Sequence, residues 1–184
     1  QGDEVYLIAS HKSRFATIKD RYSARMGTAL ANPDLKPEVA NHLELGLSGK
    51  PWQGGKGQAA LFYSRVRDQI QTMVVDSTAC GGKTCNQAQN VGRTRNMGFE
   101  VSLAQQLSTQ WALHAGYTYL SRTNLSDRSI TLTDTPRQRL TAALQWSPQA
   151  QWQLRAELEA EQGRKVPLSA SGQAQVYQMA GYGV

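Results

Sequence analysis

The sequence predicts an all-β chain: an antiparallel up-and-down meander that forms a segment of a transmembrane β-barrel. Three observations lead there. Apolar and polar residues alternate with period two in stretch after stretch. The connections between those stretches alternate between short and long. Tryptophans sit beside the short connections, at one end of their strands.

The alternation is clearest over 152–161, WQLRAELEAE, where Trp152, Leu154, Ala156, Leu158 and Ala160 are apolar and the residues between them polar. Ala, Leu, Glu and Arg are good helix formers. A helix, however, would wind a period-two pattern around all its sides, whereas a strand gathers it on one face. The stretch therefore reads as a strand. By the same argument Leu43, Leu45 and Leu47 share a face, as do Met97, Phe99, Val101 and Leu103. So do Trp111, Leu113, Ala115, Tyr117 and Tyr119, and likewise Leu140, Ala142, Leu144 and Trp146. Residues 58–75 read as one long strand with Ala60, Phe62, Val66 and Ile70 on a common face. Glu4–Lys12 reads as a strand with a less clear face. In all, seven or eight strands are expected.

Short turns fall at 51–56, 105–110 and 147–150, rich in Pro, Gly, Ser and Gln. Long connections fall at 14–37, 76–93, 123–136 and 163–175. Long structureless loops are uncommon in compact soluble domains. Short turns at one end and long loops at the other are the plan of bacterial outer-membrane barrels, and tryptophans at a strand end suit a membrane interface. The competing fold is a secreted β-sandwich binding module, with Trp111, Trp146 and Trp152 as core aromatics.

The 184 residues carry a net charge of +6 and are 40% hydrophobic, with mean hydropathy −0.51. Low mean hydropathy does not argue against a barrel, whose lumen and loops are polar. No apolar run is long enough for a transmembrane helix. Lys and Arg are scattered along the chain, with no Arg-rich helix and no aromatic-plus-basic motif, so no nucleic-acid partner is expected. The chain opens on Gln1 without an initiating Met and closes on Gly183-Val184; it is expected to be a piece of a longer protein.

The segment 9–38, ASHKSRFATIKDRYSARMGTALANPDLKPE, resembles a signature region of TonB-dependent receptors. The matching residues are Ser13, Arg14 and Phe15, then Asn32, Pro33, Asp34, Leu35, Lys36, Pro37 and Glu38, then Glu44, Leu45 and Gly46. Ala16 departs from the family, where Pro is common. The resemblance continues through 59–70 with Phe62-Tyr63 and Asp68-x-Ile70, then Asn90, Gly92 and Gly98-Phe99-Glu100. It ends with His114–Tyr119 and Thr135-Pro136-Arg137, so it covers nearly the whole chain. Pro33 and Pro37 fix φ and lack an N–H, so this stretch ends a loop and sets up the strand starting near Glu38.

The resemblance implies a large barrel of about 22 strands plugged by a separate domain. Residues 1–184 would be part of its wall, in the outer membrane of a Gram-negative bacterium, with plug domain and final strands outside this chain. It implies uptake of a scarce nutrient, usually a ferric siderophore, powered by the TonB–ExbB–ExbD complex through a region outside this chain. A passive porin or an autotransporter barrel would share the strand pattern. Outer-membrane lipid and lipopolysaccharide are the implied surroundings.

Cys80 and Cys85, in CGGKTC, are expected to form a disulfide, since Gly81-Gly82 lets so small a ring close. No further Cys or His stands nearby at metal-ligand spacing. His11, His42 and His114 are dispersed, so no metal or cofactor is expected. Nucleophile-elbow and phosphate-loop motifs are absent, and no enzyme is expected. Within the first long loop, Arg21, Tyr22 and Arg25 are the candidate contacts to an anionic chelate. The alternative is that they meet lipopolysaccharide phosphates or water.

Overall fold

The computed structural model describes residues 2–24, 27–167 and 174–183. For 77, 79, 166–167 and 174–183 it describes the backbone alone. Eight long strands form one sheet: β1 (Glu4–Arg14), β3 (Glu38–Gly49), β4 (Gly55–Arg67), β7 (Thr94–Gln106), β8 (Trp111–Asn124), β9 (Gln138–Gln149), β10 (Trp152–Pro167) and β11 (Ala174–Gly183). They lie side by side in that order, and each pair is antiparallel. Three short strands, β2 (Ala29–Leu30), β5 (Ile70–Ser77) and β6 (Lys83–Asn90), make a second sheet in the order β2-β6-β5. A short α-helix, α1 (Ile18–Tyr22), lies in the first long loop, and a 3-10 turn (Thr78–Cys80) follows β5.

The turns at 50–54, 107–110 and 150–151 all fall at one end of the wall. The connections 15–37, 68–93 and 125–137 all fall at the other. The helix-prone stretch 152–161 is strand throughout, as its period demands.

Register places the apolar residues of neighbouring strands in rows. Leu45 faces Leu7 on one side and Leu61 on the other, Leu61 faces Phe99, and Phe99 faces Tyr119. The row one step below runs Val5, Leu47, Ala59, Val101, Tyr117 and Leu140. These side chains stay open on the outer face: Leu7 is 68% exposed and Leu61 61%. In water such a surface would be a liability; in a bilayer it is the lipid-facing belt. Aromatics bound it at both ends. Trp111 stacks on Trp146 with ring centroids 5.5 Å apart at the short-turn end, where Trp52 and Trp152 also lie exposed. Phe99, Tyr117 and Tyr119 cluster towards the long-loop end.

The opposite face is polar and concave. It lines a cavity of about 1020 Å³ with Gln58, Ser102, His114, Thr141, Glu157 and Glu159 among its walls. Ion pairs run along it, Arg139 to Glu159 at 2.7 Å and Arg164 to Glu161 at 2.6 Å. Two glycines on this face receive aromatic rings from the adjacent strand. Tyr6 lies against Gly46 while its hydroxyl donates to Glu44 Oε1 at 3.1 Å. Phe62 lies against Gly98. The Glu-x-Gly spacing thus has a physical reason: the ring needs the bare backbone and its hydroxyl needs the carboxylate.

Two expectations are corrected. Residues 58–75 are two strands, because Asp68 turns the chain out of the wall with φ at 54° and Ile70–Ser77 joins the loop sheet, taking Ile70 off the common face. Within β4, Ala60, Phe62 and Val66 do share a face; it is the lumen face, and Ala59, Leu61 and Tyr63 turn outward. Both faces of β4 are apolar enough that only pairing with Leu45 and Phe99 decides between them. Secondly, the wall continues past Gly163, read from the sequence as opening a loop. There a bulge between Gln162 and Arg164, with Gly163 at φ 74°, is absorbed within β10. The tip at 168–173 lies outside the described residues.

Buried residues are concentrated at the long-loop end. Leu35, Cys85 and Val91 are buried there, with Gln71, Thr94, Asn124 and Thr133 among the polar residues. The wall itself is a single layer whose apolar face turns outward.

Candidate functional site

The long loops converge into one cross-linked platform. Loops carry many backbone groups with no ladder partner, and each must be satisfied when buried. Asn and Gln offer both a donor and an acceptor, which suits irregular backbone. The platform uses them repeatedly. Asn32 Nδ2 donates to Ala88 O at 2.9 Å, and Gln87 Nε2 to Ala31 O at 3.1 Å, joining the first loop to the second. Asn90 Oδ1 accepts from Lys36 N, while its Nδ2 donates to Lys36 O and Asp68 O. Gln71 Nε2 donates to Thr131 O at 2.9 Å, joining the second loop to the third. Asn124 Nδ2 donates to Val91 O, and its Oδ1 accepts from Ser126 N and Asp127 N. β2 also pairs in parallel with β6.

Glu38, the last residue of the Asn32–Glu38 stretch, is the junction of wall and platform. Its Oε2 accepts from Arg14 Nε at 2.7 Å, and its Oε1 accepts from the Ile70 backbone N–H at 2.6 Å. One carboxylate therefore holds the end of β1, the start of β3 and the start of β5.

Helix α1 is set by a capping box. Thr17 Oγ1 accepts from Asp20 N at 3.1 Å, and Asp20 Oδ2 accepts from Thr17 N at 3.0 Å. Burial works to raise the pKa of Asp20, but the Thr17 hydrogen bonds and the Arg14 guanidinium outweigh it and hold the carboxyl below its ordinary 3.8. Because the folded value is lowered, the stabilisation is complete above about pH 3.8 and is lost as pH falls through the folded value. Relative to intrinsic exchange at each pH, protection of the Thr17 and Asp20 amides should fall only in that acid range. Protection already absent at neutral pH would contradict the capping role.

The expected contact residues divide. Arg21 is turned inward: its Nη2 donates to Leu35 O at 3.1 Å, and its buried Nε has no partner. Tyr22 is 58% exposed on α1. Arg25 lies outside the described residues. Cys80 and Cys85 are bonded at the tip of the β5–β6 hairpin, with Cys85 buried. Reducing this bond is expected to cost the hairpin about 2 kcal/mol by loop-closure entropy. Exchange in β5 and β6 should rise while the wall's melting temperature holds; a matching fall in the wall would refute so local a role.

The histidines stay apart. His11 bonds Asn41 at 2.7 Å, His42 bonds Glu44 at 3.2 Å, and His114 lines the lumen cavity. Among the described residues no three His, Cys, Asp or Glu side chains are grouped to hold a metal.

Sequence reading missed a second cavity, of about 330 Å³, between the third long loop and strands β8 and β10. Arg122, Arg128, Arg137 and Lys165 line it, and no acidic residue does. Arg122 Nη1 donates to Thr133 O and Thr135 Oγ1, both at 3.0 Å, which fixes its guanidinium at the cavity wall. Such a pocket suits an anionic, oxygen-rich ligand. The four cations spread over 43 positions, from β8 through the third loop to β10, so no local motif marked them.

A family model described as TonB dependent receptor-like, beta-barrel matches residues 4–184. The ferric-pyoverdine M114 receptor PbuA of Pseudomonas sp. (strain M114) is 32% identical over 131 residues, covering 70% of this chain and 14% of that protein. The ferric-pyoverdine 358 receptor of Pseudomonas putida is 24% identical over 131 residues, covering 69% and 15%. The chain therefore spans only 14–15% of the length of these curated relatives. Among solved structures, a mutant of the ferric enterobactin receptor PfeA from Pseudomonas aeruginosa, in complex with enterobactin, superposes with TM-score 0.69 at 18% identity, over 99% of this chain and 30% of that one. The copper transporter OprC gives TM-score 0.68 at 23% identity, over 88% and 24%. At these identities the solved structures speak for the fold.

Proposed function

This chain belongs to the β-barrel family of TonB-dependent receptors, and from that premise we propose that it is wall and outer loops of a receptor importing a ferric siderophore or a similar metal chelate. Members of the family are β-barrels of the Gram-negative outer membrane, and the outward apolar belt of β1 to β10 lies in that bilayer. The long loops then face the outside of the cell and the tryptophan-rich turns the periplasm.

The observation that carries the substrate reading is the 32% identity to a ferric-pyoverdine receptor across 70% of this chain. Two features agree with it. The platform is laced together by amide side chains, so it presents a fixed surface to the outside. The pocket with Arg122, Arg128 and Lys165 offers cations to an anionic chelate. Tyr22 on the exposed side of α1 and Arg25 further along the first loop are proposed as outer contacts, with Arg21 holding that loop in place. Energy would come from the TonB–ExbB–ExbD complex, engaged by a region outside this chain, through a plug domain likewise outside it. The reading assigns transport and no catalytic step to these residues.

The test is uptake of radiolabelled ferric pyoverdine by cells with the intact gene and by cells lacking it. Uptake is expected to fall in the deletion strain and to return with the full-length gene. Equal uptake in both strains across a broad siderophore panel would overturn the iron reading.

A further inference from the structure

Folding gathers four arginines that are separate in sequence onto the lipid-facing side of the wall. Arg65 and Arg67 end β4; Arg95 is the second residue of β7, and Arg93 immediately precedes that strand. Arg65 stands directly opposite Arg95 in the ladder, and Arg67 and Arg93 lie just beyond its last pair, Val66↔Thr94. Arg65, Arg67 and Arg95 share the parity of Leu61, Tyr63, Met97 and Phe99, which places them on the outer face, and Arg93 borders the same groove as Arg65 and Arg67. Arg65 and Arg95 come two residues after Tyr63 and before Met97, and Arg67 and Arg93 four, towards the long loops. A groove of about 370 Å³ opens there, lined by Asn41, Arg65, Arg67, Arg93 and Leu125.

Like charges directly opposite on a sheet are destabilising, and more so beside a low-dielectric bilayer. No carboxylate forms an ion pair with any of the four among the described residues. Arg65 bonds the Tyr63 hydroxyl at 2.6 Å and lies over that ring, as Arg137 does with Tyr119, and Arg95 has a buried Nε without a partner. A tyrosine ring carries no charge, so neither contact supplies a counter-ion. Four cations held side by side with no internal counter-charge are completed by an external anion. At the upper rim of a lipid-facing belt, the anion within reach is a lipid headgroup.

We infer that Arg65, Arg67, Arg93 and Arg95 form a binding site for the phosphate groups of an outer-leaflet phosphoglycolipid. Arginine suits this role because its fork of donors meets phosphate oxygens in pairs while its stem stays against the apolar belt. The site faces away from the lumen, so it is separate from the substrate path. It rests on the outer-membrane placement given above and not on the identity of the cargo.

The full-length receptor in detergent micelles would be offered bisphosphorylated lipid A and, separately, the same lipid with its phosphates removed. The phosphorylated lipid is expected to bind about tenfold more tightly. The double variant Arg65→Gln/Arg95→Gln is expected to lose most of that preference and to keep ferric-siderophore uptake. Equal binding of the two lipids by the wild type would overturn the inference, whether or not the variant folds. Survival of the preference when all four arginines are Gln would overturn it too, as would full displacement by inorganic phosphate, which would mark a site for soluble anions. Because uptake is read in the same strains, failure of the lipid site and failure of the siderophore reading are told apart.

Discussion

Replacing Gly98 with Val is expected to abolish assembly of the barrel wall. A Cβ at Gly98 would lie 1.9 Å from Tyr119 O and 2.8 Å from Phe62 Cζ. The second contact is with a side chain and can yield. The first is with backbone, and moving it means parting β7 from β8, the pair that runs from Thr94↔Asn124 to Gln106↔Ala112. The cost should reach about 4 kcal/mol, the upper end for single substitutions. The measurement is the fraction of full-length receptor that resists unfolding in unheated detergent electrophoresis. Phe62→Leu should not rescue it, because the carbonyl contact remains. Gly57→Ala is the control: its Cβ would meet nothing closer than Pro51 at 3.5 Å, and wild-type assembly is expected. Normal assembly of Gly98→Val would sink the close-approach argument. Gly46 should be more forgiving, since the atoms in its way belong to the Tyr6 ring.

Replacing Glu38 with Ala is expected to release the loop platform while sparing the wall. The change strips the acceptor from the Ile70 N–H and the ion partner from Arg14 together. A part-buried donor left unsatisfied, plus a lost charge-assisted bond, amounts to about 3 kcal/mol, or roughly a hundredfold in local opening. Limited proteolysis within 68–93 should accelerate accordingly. Glu38→Gln keeps an acceptor for Ile70 and should recover part of the loss, whereas Arg14→Ala should leave Ile70 protected. Unchanged cleavage in Glu38→Ala would remove Glu38 from its place as the junction.

These two residues also mark how far the sequence could be read. Alternation was legible wherever one face was clearly apolar, as at Leu43, Leu45 and Leu47 or along 152–161, because period two belongs to strands alone. In β4 it grouped Ala60, Phe62 and Val66 but gave no side of the wall, because Phe62 and Leu61 compete as equals. There the face is chosen by the partner strands, with Gly98 making room for Phe62, and a non-local cause leaves no local mark. The exit at Asp68 was hidden for a related reason: SRVR and QIQTMVV continue one alternation across the bend. The loop sheet was missed because β6, rich in Gln and Asn, carries no apolar face, β2 is only two residues long, and β5 reads as the end of the preceding strand. The resemblance did identify Asn32–Glu38 as ending a loop. It did not reveal that Glu38 binds Arg14 and Ile70, since those partners lie 24 and 32 positions away. Charge reading had the same limit. Lys and Arg look scattered along the chain, and only the β4–β7 register brings Arg65 and Arg95 face to face.

The separation of a single-layer wall from a buried loop platform also sets an order of assembly. Three tight hairpins, β3–β4, β7–β8 and β9–β10, close over turns of only a few residues, and contacts so local form fast. The platform's links are of another kind: Lys36 to Asn90 spans 54 positions and Gln71 to Thr131 spans 60. Closing such loops in a free chain carries an entropy cost that no single amide bond offsets. Once β4 stands against β7 and β7 against β8, the ends of those loops are already neighbours and most of that cost has gone. The outer surface is therefore a late product of folding, templated by a wall whose own register is settled hairpin by hairpin.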